Sequence, residues 1–182
     1  MLDKKKFREK VYKINKEYKD FDFSKEDQII IDKVISSKLF IEAQAILLYY
    51  PMKNEVNTIN LINYCLENNK AVALAKTFDE TIEFVYINKN WQEQLINGLY
   101  HTVEPKDNNL IKDYPQKTLA IVPSLALGKN NSRLGHGKGY YDKFFSKYKN
   151  IKKLGICRNH LLFESVPTDK NDIFLDLIIT SN

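Results

Sequence analysis

Chemical capability is concentrated in Arg133-Leu134-Gly135-His136-Gly137-Lys138-Gly139-Tyr140-Tyr141-Asp142. Glycine at every second position lets the backbone take positive φ and lets a ligand approach its N–H groups closely. Successive N–H groups in such a turn form an anion nest. Tyr140, Tyr141, Phe144, Phe145 and Tyr148 then read as an aromatic-rich helix. That puts the glycines at a helix N-terminus, where the dipole also favours an anion. Arg133 and Lys138 add full positive charges, and Asp142, in the first turn, could hold a divalent metal. Together these groups describe a nucleotide-phosphate site with a flat organic substrate beside it. The spacing matches neither a Walker A loop nor a dinucleotide fingerprint. Alternating glycines also make plain structural turns, so the rest of the chain must decide.

Further candidates lie upstream. Lys4 and Arg8 are four apart on a helical stretch and share a face, either to grip a phosphate chain or simply as a solvated surface. Glu55, in the loop Pro51–Thr58, is a candidate ligand-binding acid or a first-turn acid of the next helix; Thr58 is a candidate cap. His101 lies in a loop with Tyr100 and Glu104 and is assigned no role. There is no Ser-His-Asp or Cys-His arrangement to suggest a protein nucleophile.

These residues need positioning elements. Phe7, Val11, Ile14 and Tyr18 recur at helical spacing and predict a helix over 3–19. Ser24 and Asp27 fit the cap and first turn of a second helix running to about Ser37. The apolar run 45–50 reads as a buried strand, 59–68 as a helix and 71–75 as a second buried strand, a right-handed βαβ unit. Lys76 would point to the same sheet edge as Glu55. The alternation over 81–86 predicts an antiparallel or edge strand, 91–96 a short helical turn, and 98–105 a loop. Strands follow at 119–122, 153–157 and 175–180, with an acidic turn at 167–172. Alternation of strands and helices argues for an α/β fold: a single three-layer, Rossmann-like domain over residues 1–182, with a mostly parallel sheet flanked by helices. Such sheets bind ligands at the C-terminal ends of their strands.

Composition sets outer limits. At 182 residues, 43% hydrophobic and 28% charged, the chain can bury a full core without staples. No run approaches the roughly 18 apolar residues a membrane span needs, and the N-terminal stretch has no apolar signal region. Cys65 and Cys157 give no disulfide framework or metal spacing and read as core thiols. A cytoplasmic, monomeric protein without membrane or nucleic-acid partners is expected. The net charge of +5 is scattered along the chain, whereas an RNA-binding module would cluster basic and aromatic residues on one face.

The ordered motifs resemble the 5-formyltetrahydrofolate cyclo-ligase family. Its Arg-Leu-Gly-x-Gly-x-Gly-Tyr-Tyr-Asp signature is reproduced by Arg133 to Asp142. Lys4 to Arg8 resembles its N-terminal Lys-x-x-Leu-Arg, with Phe7 in place of leucine. Glu55-Val56-Asn57-Thr58 matches its Glu-Val-x-Thr, Val122-Pro123 its strand ending in Val-Pro, and Tyr100 before Glu104-Pro105 its aromatic and Glu-Pro pair. Val166-Pro167, Asp172 and Thr180 fit its C-terminal order. Ala75 stands where the family often has proline, and Asn69 replaces a frequent glycine.

The resemblance implies ATP- and Mg²⁺-dependent closure of 5-formyltetrahydrofolate to 5,10-methenyltetrahydrofolate. It implies an ATP site of Lys4, Arg8, Arg133, Leu134, Gly135, His136, Gly137, Lys138, Gly139, Tyr140 and Tyr141, with Arg133 and Lys138 acting on the transferring group. Substrate would meet Tyr50, Glu55, Tyr100, Gly137, Lys138, Gly139 and Tyr140, and the metal Asp142 and Asp172. The alternative on the same fold is an inactive ATP-binding regulatory protein, against which the intact Glu55, Lys138, Asp142 and Asp172 argue.

Overall fold

A computed structural model describes residues 3–99 and 102–182. The chain opens with helices α1 (Lys4–Glu17), α2 (Ser24–Ser36) and the short α3 (Lys38–Glu42). Strand β1 (Ala45–Leu48), helix α4 (Ile59–Glu67) and strand β2 (Ala71–Phe78) form the βαβ unit, and β3 (Thr81–Tyr86) folds back on it. A 3-10 turn at Trp91–Gln94 leads into β4 (Leu95–Asn97) and β5 (Val103–Pro105). Next come β6 (Thr118–Val122), β7 (Ala126–Gly128), β8 (Arg133–Leu134) and α5 (Tyr140–Lys147). Strands β9 (Lys152–Ile156), β10 (Leu162–Phe163) and β11 (Leu177–Ile179) complete the order.

Six strands pair as β11-β9-β6-β1-β2-β3, all parallel except β3 against β2. The expected α/β architecture with a mostly parallel, helix-flanked sheet is the one observed. Both faces of the sheet are covered, which is why its central strands are apolar throughout. Period-2 alternation divides them: Leu47, Ala73, Ala120 and Val122 pack with Phe7 and Val11 of α1 and Phe144 and Phe145 of α5. Ile46, Leu48, Val72, Leu74, Leu119 and Ile121 face α2, α3 and α4 instead. Phe7, the leucine replacement, is buried edge-on against Phe163 with ring centroids 5.0 Å apart. Asn69 takes φ +56° just after α4, a left-handed position where asparagine can stand in for glycine. Cys65 and Cys157 are buried free thiols, and burial pushes each up to about 12.

Several local expectations are corrected. Ser24 is the first residue of α2, not its cap; Asp22 Oδ1 accepts from the Ser24 N–H at 2.9 Å instead. Thr58 occupies the N-cap position of α4, but its hydroxyl donates to the Tyr49 carbonyl rather than capping the helix. Strand β2 continues through Lys76, whose buried ammonium donates to the Pro105 carbonyl at 2.6 Å rather than reaching the ligand edge. The helical turn stops at Gln94, and Leu95–Asn97 pairs with Val103–Pro105 as a small hairpin where a loop was expected. Helix α3 and the small sheet β10-β7-β8 were not anticipated. No helix among the described residues is long and apolar enough to cross a membrane.

Candidate functional site

The sheet order reverses at β1: α4 carries the chain to β2 on one side, while β6 lies on the other. Ligands of open α/β sheets settle at such a switch point, beyond the C-terminal strand ends. Here a cavity of about 1040 Å³ is lined by Tyr49 and Tyr50 after β1 and by Pro123 after β6. Residues 133–143 and the N-terminal turns of α1 provide further walls.

The glycine loop reaches α5 in a backbone shape that side chains resist. Gly137 has φ +104° and Gly139, at the N-cap of α5, φ +69°. A Cβ on Gly137 would lie 3.2 Å from Arg8 Cζ, and Arg8 Nε donates to the Gly135 carbonyl at 2.9 Å. The predicted aromatic helix is present, and no side chain caps its first N–H groups. Positive φ occurs at the second and third glycines only. Lys138 is exposed and Tyr140 half-buried, and both line the cavity. Leu134 is buried in β8; it lines the cavity, and its carbonyl accepts from the Leu125 N–H.

Two acid–cation groups face this loop. The Arg133 guanidinium is buried, 3.1 Å from Asp142 Oδ2, and donates to the Pro123 carbonyl at 3.1 Å. Asp142 Oδ1 accepts from the Ile173 N–H at 3.1 Å. Lys4 Nζ donates to Asp169 Oδ2 at 2.7 Å and to Asp172 Oδ1 at 2.5 Å. Burial works against the Lys4 charge, but its bonds to Asp169 and Asp172 outweigh that and hold its pKa above the ordinary lysine value. The same Lys4 bond holds the exposed Asp169 carboxyl below its ordinary value. Lys4 and Arg8, joined by sequence spacing alone, thus meet residues from the far end of the chain. Among the described residues no cluster of three or more His, Cys, Asp or Glu side chains could enclose a metal unaided. Asp142 and Asp172 line one cavity; in general Mg²⁺ needs only one or two carboxylates when phosphate oxygens and waters complete its shell.

Glu55 also lines the cavity. Its Oε2 accepts from the Met52 N–H at 2.9 Å, and its Oε1 lies 3.4 Å from His136 Nε2. His136, implied as a nucleotide residue, therefore also reaches the substrate-side acid. Loss of hydration, and then the Glu55 charge, push the phenols of Tyr49 and Tyr141 well above the ordinary tyrosine range. Tyr50 is half-buried and also lines the cavity. Tyr100, implied for substrate, lies outside the described residues.

The fold thus collects Lys4, Arg8, Tyr50, Glu55, the 133–142 segment and Asp172 around one space. Sequence reasoning missed Asp169, signalled only by its three-residue spacing from Asp172 in the acidic turn. It also missed Arg158, two residues past β9, whose guanidinium donates to the Glu55 carbonyl at 2.7 Å. Glu104 lines the cavity too, its Oε1 accepting from Thr77 and Thr102 hydroxyls at 2.6 and 2.7 Å.

Comparison with known proteins identifies relatives of this chain. The chain is 32% identical over 142 residues to a Schizosaccharomyces pombe protein named "Probable 5-formyltetrahydrofolate cyclo-ligase", covering 70% of each. It is 28% identical over 181 residues to the Mycoplasma genitalium 5-formyltetrahydrofolate cyclo-ligase, covering 98% of both chains. The solved Aquifex aeolicus 5,10-methenyltetrahydrofolate synthetase superposes with a TM-score of 0.78 at 26% identity, over 98% of this chain and 89% of that one. The model of the 5-formyltetrahydrofolate cyclo-ligase family matches residues 1–181, end to end through the loop and both acid–cation groups. The chain belongs to the 5-formyltetrahydrofolate cyclo-ligase family.

Proposed function

We propose that the protein converts 5-formyltetrahydrofolate to 5,10-methenyltetrahydrofolate, with ATP cleaved to ADP and phosphate. The observation that carries this reading is one cavity with two chemically distinct walls. The glycine loop, with Lys4, Arg8 and Lys138, suits a polyphosphate, and Glu55 among tyrosines suits a flat, hydrogen-bonding ring.

A formamide oxygen is a poor leaving group, so it must be converted into a better one. The formyl oxygen attacks the γ-phosphorus, and the bond to ADP breaks. The folate's anilino nitrogen then adds to the activated formyl carbon. Loss of that nitrogen's proton and departure of phosphate, which carries away the formyl oxygen, give the methenyl bridge. Such chemistry depends on positioning and charge neutralisation rather than on a protein nucleophile.

Lys4 and Arg8 would hold the phosphates from α1, and the N–H groups of 135–139 would cradle them. Lys138 would neutralise the charge of the transferring group. Arg133 would act from the floor by orienting Asp142. Asp142 and Asp172 would hold Mg²⁺, which supplies charge neutralisation on the phosphate oxygens when bound. Glu55 would accept from the N–H edge of the pterin, with Tyr50 and Tyr140 offering ring faces.

The test is the near-ultraviolet absorbance of the methenyl product. A rise requiring protein, 5-formyltetrahydrofolate, Mg²⁺ and ATP together is expected. No rise in a protein that binds ATP would favour the regulatory reading.

A further inference from the structure

Glu55 and Val56 are buried on the loop that follows β1. The loop's far side faces a second cavity of about 430 Å³, between the end of α1, the start of α2 and residues 51–57. At the floor of that cavity Arg158 and Asp27 form a buried, two-pronged pair. Arg158 Nε lies 2.8 Å from Asp27 Oδ1 and an Nη 2.9 Å from Asp27 Oδ2. Both side chains are more than nine-tenths buried, and the guanidinium lies over the Phe23 ring, 4.0 Å from its centroid.

The pair grips the backbone on both sides of Val56. The same Nη that meets Asp27 donates to the Glu55 carbonyl at 2.7 Å. Asp27 Oδ2 accepts from the Asn57 N–H at 3.0 Å. Between them, the Tyr49 hydroxyl donates to the Val56 carbonyl at 3.2 Å. Two elements separated by 131 positions in sequence therefore fix the one segment from which the Glu55 side chain enters the large cavity.

We propose that Asp27 and Arg158 are positioning residues for the substrate-binding acid Glu55, setting affinity for the folate without touching the nucleotide; this rests on the functional reading above. A buried ion pair is seldom the most stable solution for a core, and well-packed apolar replacements often serve stability as well. A planar guanidinium that satisfies a carboxylate and a carbonyl at once gives orientation that an ammonium cannot reproduce. Neither residue lines the large cavity, so an effect on substrate must pass through the loop.

The test compares wild type, Arg158→Lys and the double variant Asp27→Leu/Arg158→Met. It measures the Kd of 5-formyltetrahydrofolate by calorimetry without ATP, the KM for ATP, and hydrogen exchange of the amides at 55–57. Both variants should bind the folate between about tenfold and a hundredfold more weakly, the range that follows when a hydrogen bond to a charged group is lost. Their ATP KM should stay at the wild-type value, with faster exchange at 55–57. A folded double variant with wild-type folate affinity would overturn the proposal, and so would equal losses for folate and ATP. Should the double variant fail to fold, Arg158→Lys decides on the same two outcomes. If wild type binds no 5-formyltetrahydrofolate, the functional reading fails by itself; unchanged exchange at 55–57 in the variants would then overturn the tether independently.

Discussion

The Lys4 ammonium donates to the Asp172 carboxylate, 168 positions later in the chain. That contact brings the first helix and the C-terminal acidic turn to the same side of the cavity. It also means that the proposed phosphate and metal groups neutralise each other before either ligand arrives. Nucleotide phosphates would take over Lys4 as the metal takes over the acids. Loss of a hydrogen bond to a charged group costs about 1.5–3 kcal/mol. Lys4→Met is therefore expected to raise the ATP KM roughly tenfold to a hundredfold, with the folate KM little changed. Steady-state kinetics with each substrate varied in turn checks this.

Asp142→Asn keeps the shape of the side chain and removes its charge. The apparent Mg²⁺ requirement should rise by at least about tenfold, since even groups behind a metal's own ligands change affinity by that much. A magnesium titration of turnover at fixed ATP reads the effect. An unchanged titration would assign Asp142 to holding Arg133 and the Ile173 N–H alone.

Lys138 is exposed on the loop, so Lys138→Ala should leave the melting temperature where it is. Turnover should fall about 10²–10³-fold, the usual cost of losing a donor that acts in the transition state. Wild-type turnover would remove Lys138 from the mechanism.

Gly137→Ala meets two obstacles: φ of +104° and Arg8 Cζ at 3.2 Å from the new Cβ. Strain of this kind costs about 1–3 kcal/mol. Thermal unfolding should move down accordingly, and the ATP KM should rise because the loop and Arg8 shift together.

His160 gives a pH signature away from the cavity. Its ring stacks on Tyr18 and Phe23, centroids 4.2 and 5.1 Å away, and its Nε2 is buried without a partner. Burial lowers its pKa below the ordinary histidine value of about 6.5, against the pull of Glu26 and with help from Arg158. The folded state thus prefers the neutral ring. Its contribution is complete above pH 6.5 and is lost as pH falls through the lower folded value. Urea unfolding of wild type and His160→Phe at neutral and mildly acidic pH should show a stability difference that shrinks or reverses in acid for wild type relative to the variant.

The elements that position the site were legible wherever burial imposes a period. The α1 stripe of Phe7 and Val11, the apolar runs of β1, β2 and β6, and the aromatic α5 all stand where their patterns put them. The short strands β7, β8 and β10 carry too few residues for any period, and their pairing is decided by contacts between distant segments. Lys76 was misplaced because an apolar run hides where a strand ends. Within the site, types and spacing marked the glycine loop, Glu55 and Asp142. The partners of those groups were not legible. Asp169 and Arg158 act through bonds to residues more than a hundred positions away, and no local pattern encodes such a pairing.

In the proposed reaction the formyl oxygen takes the γ-phosphoryl group. This transfer is tested most directly with 5-formyltetrahydrofolate carrying ¹⁸O in the formyl group, and mass analysis of the phosphate released during turnover with ATP and Mg²⁺. One ¹⁸O atom per phosphate formed, matched to methenyl product, is the expected result. Product formation with unlabelled phosphate would mean that the oxygen leaves by another route, and would contradict the proposed transfer.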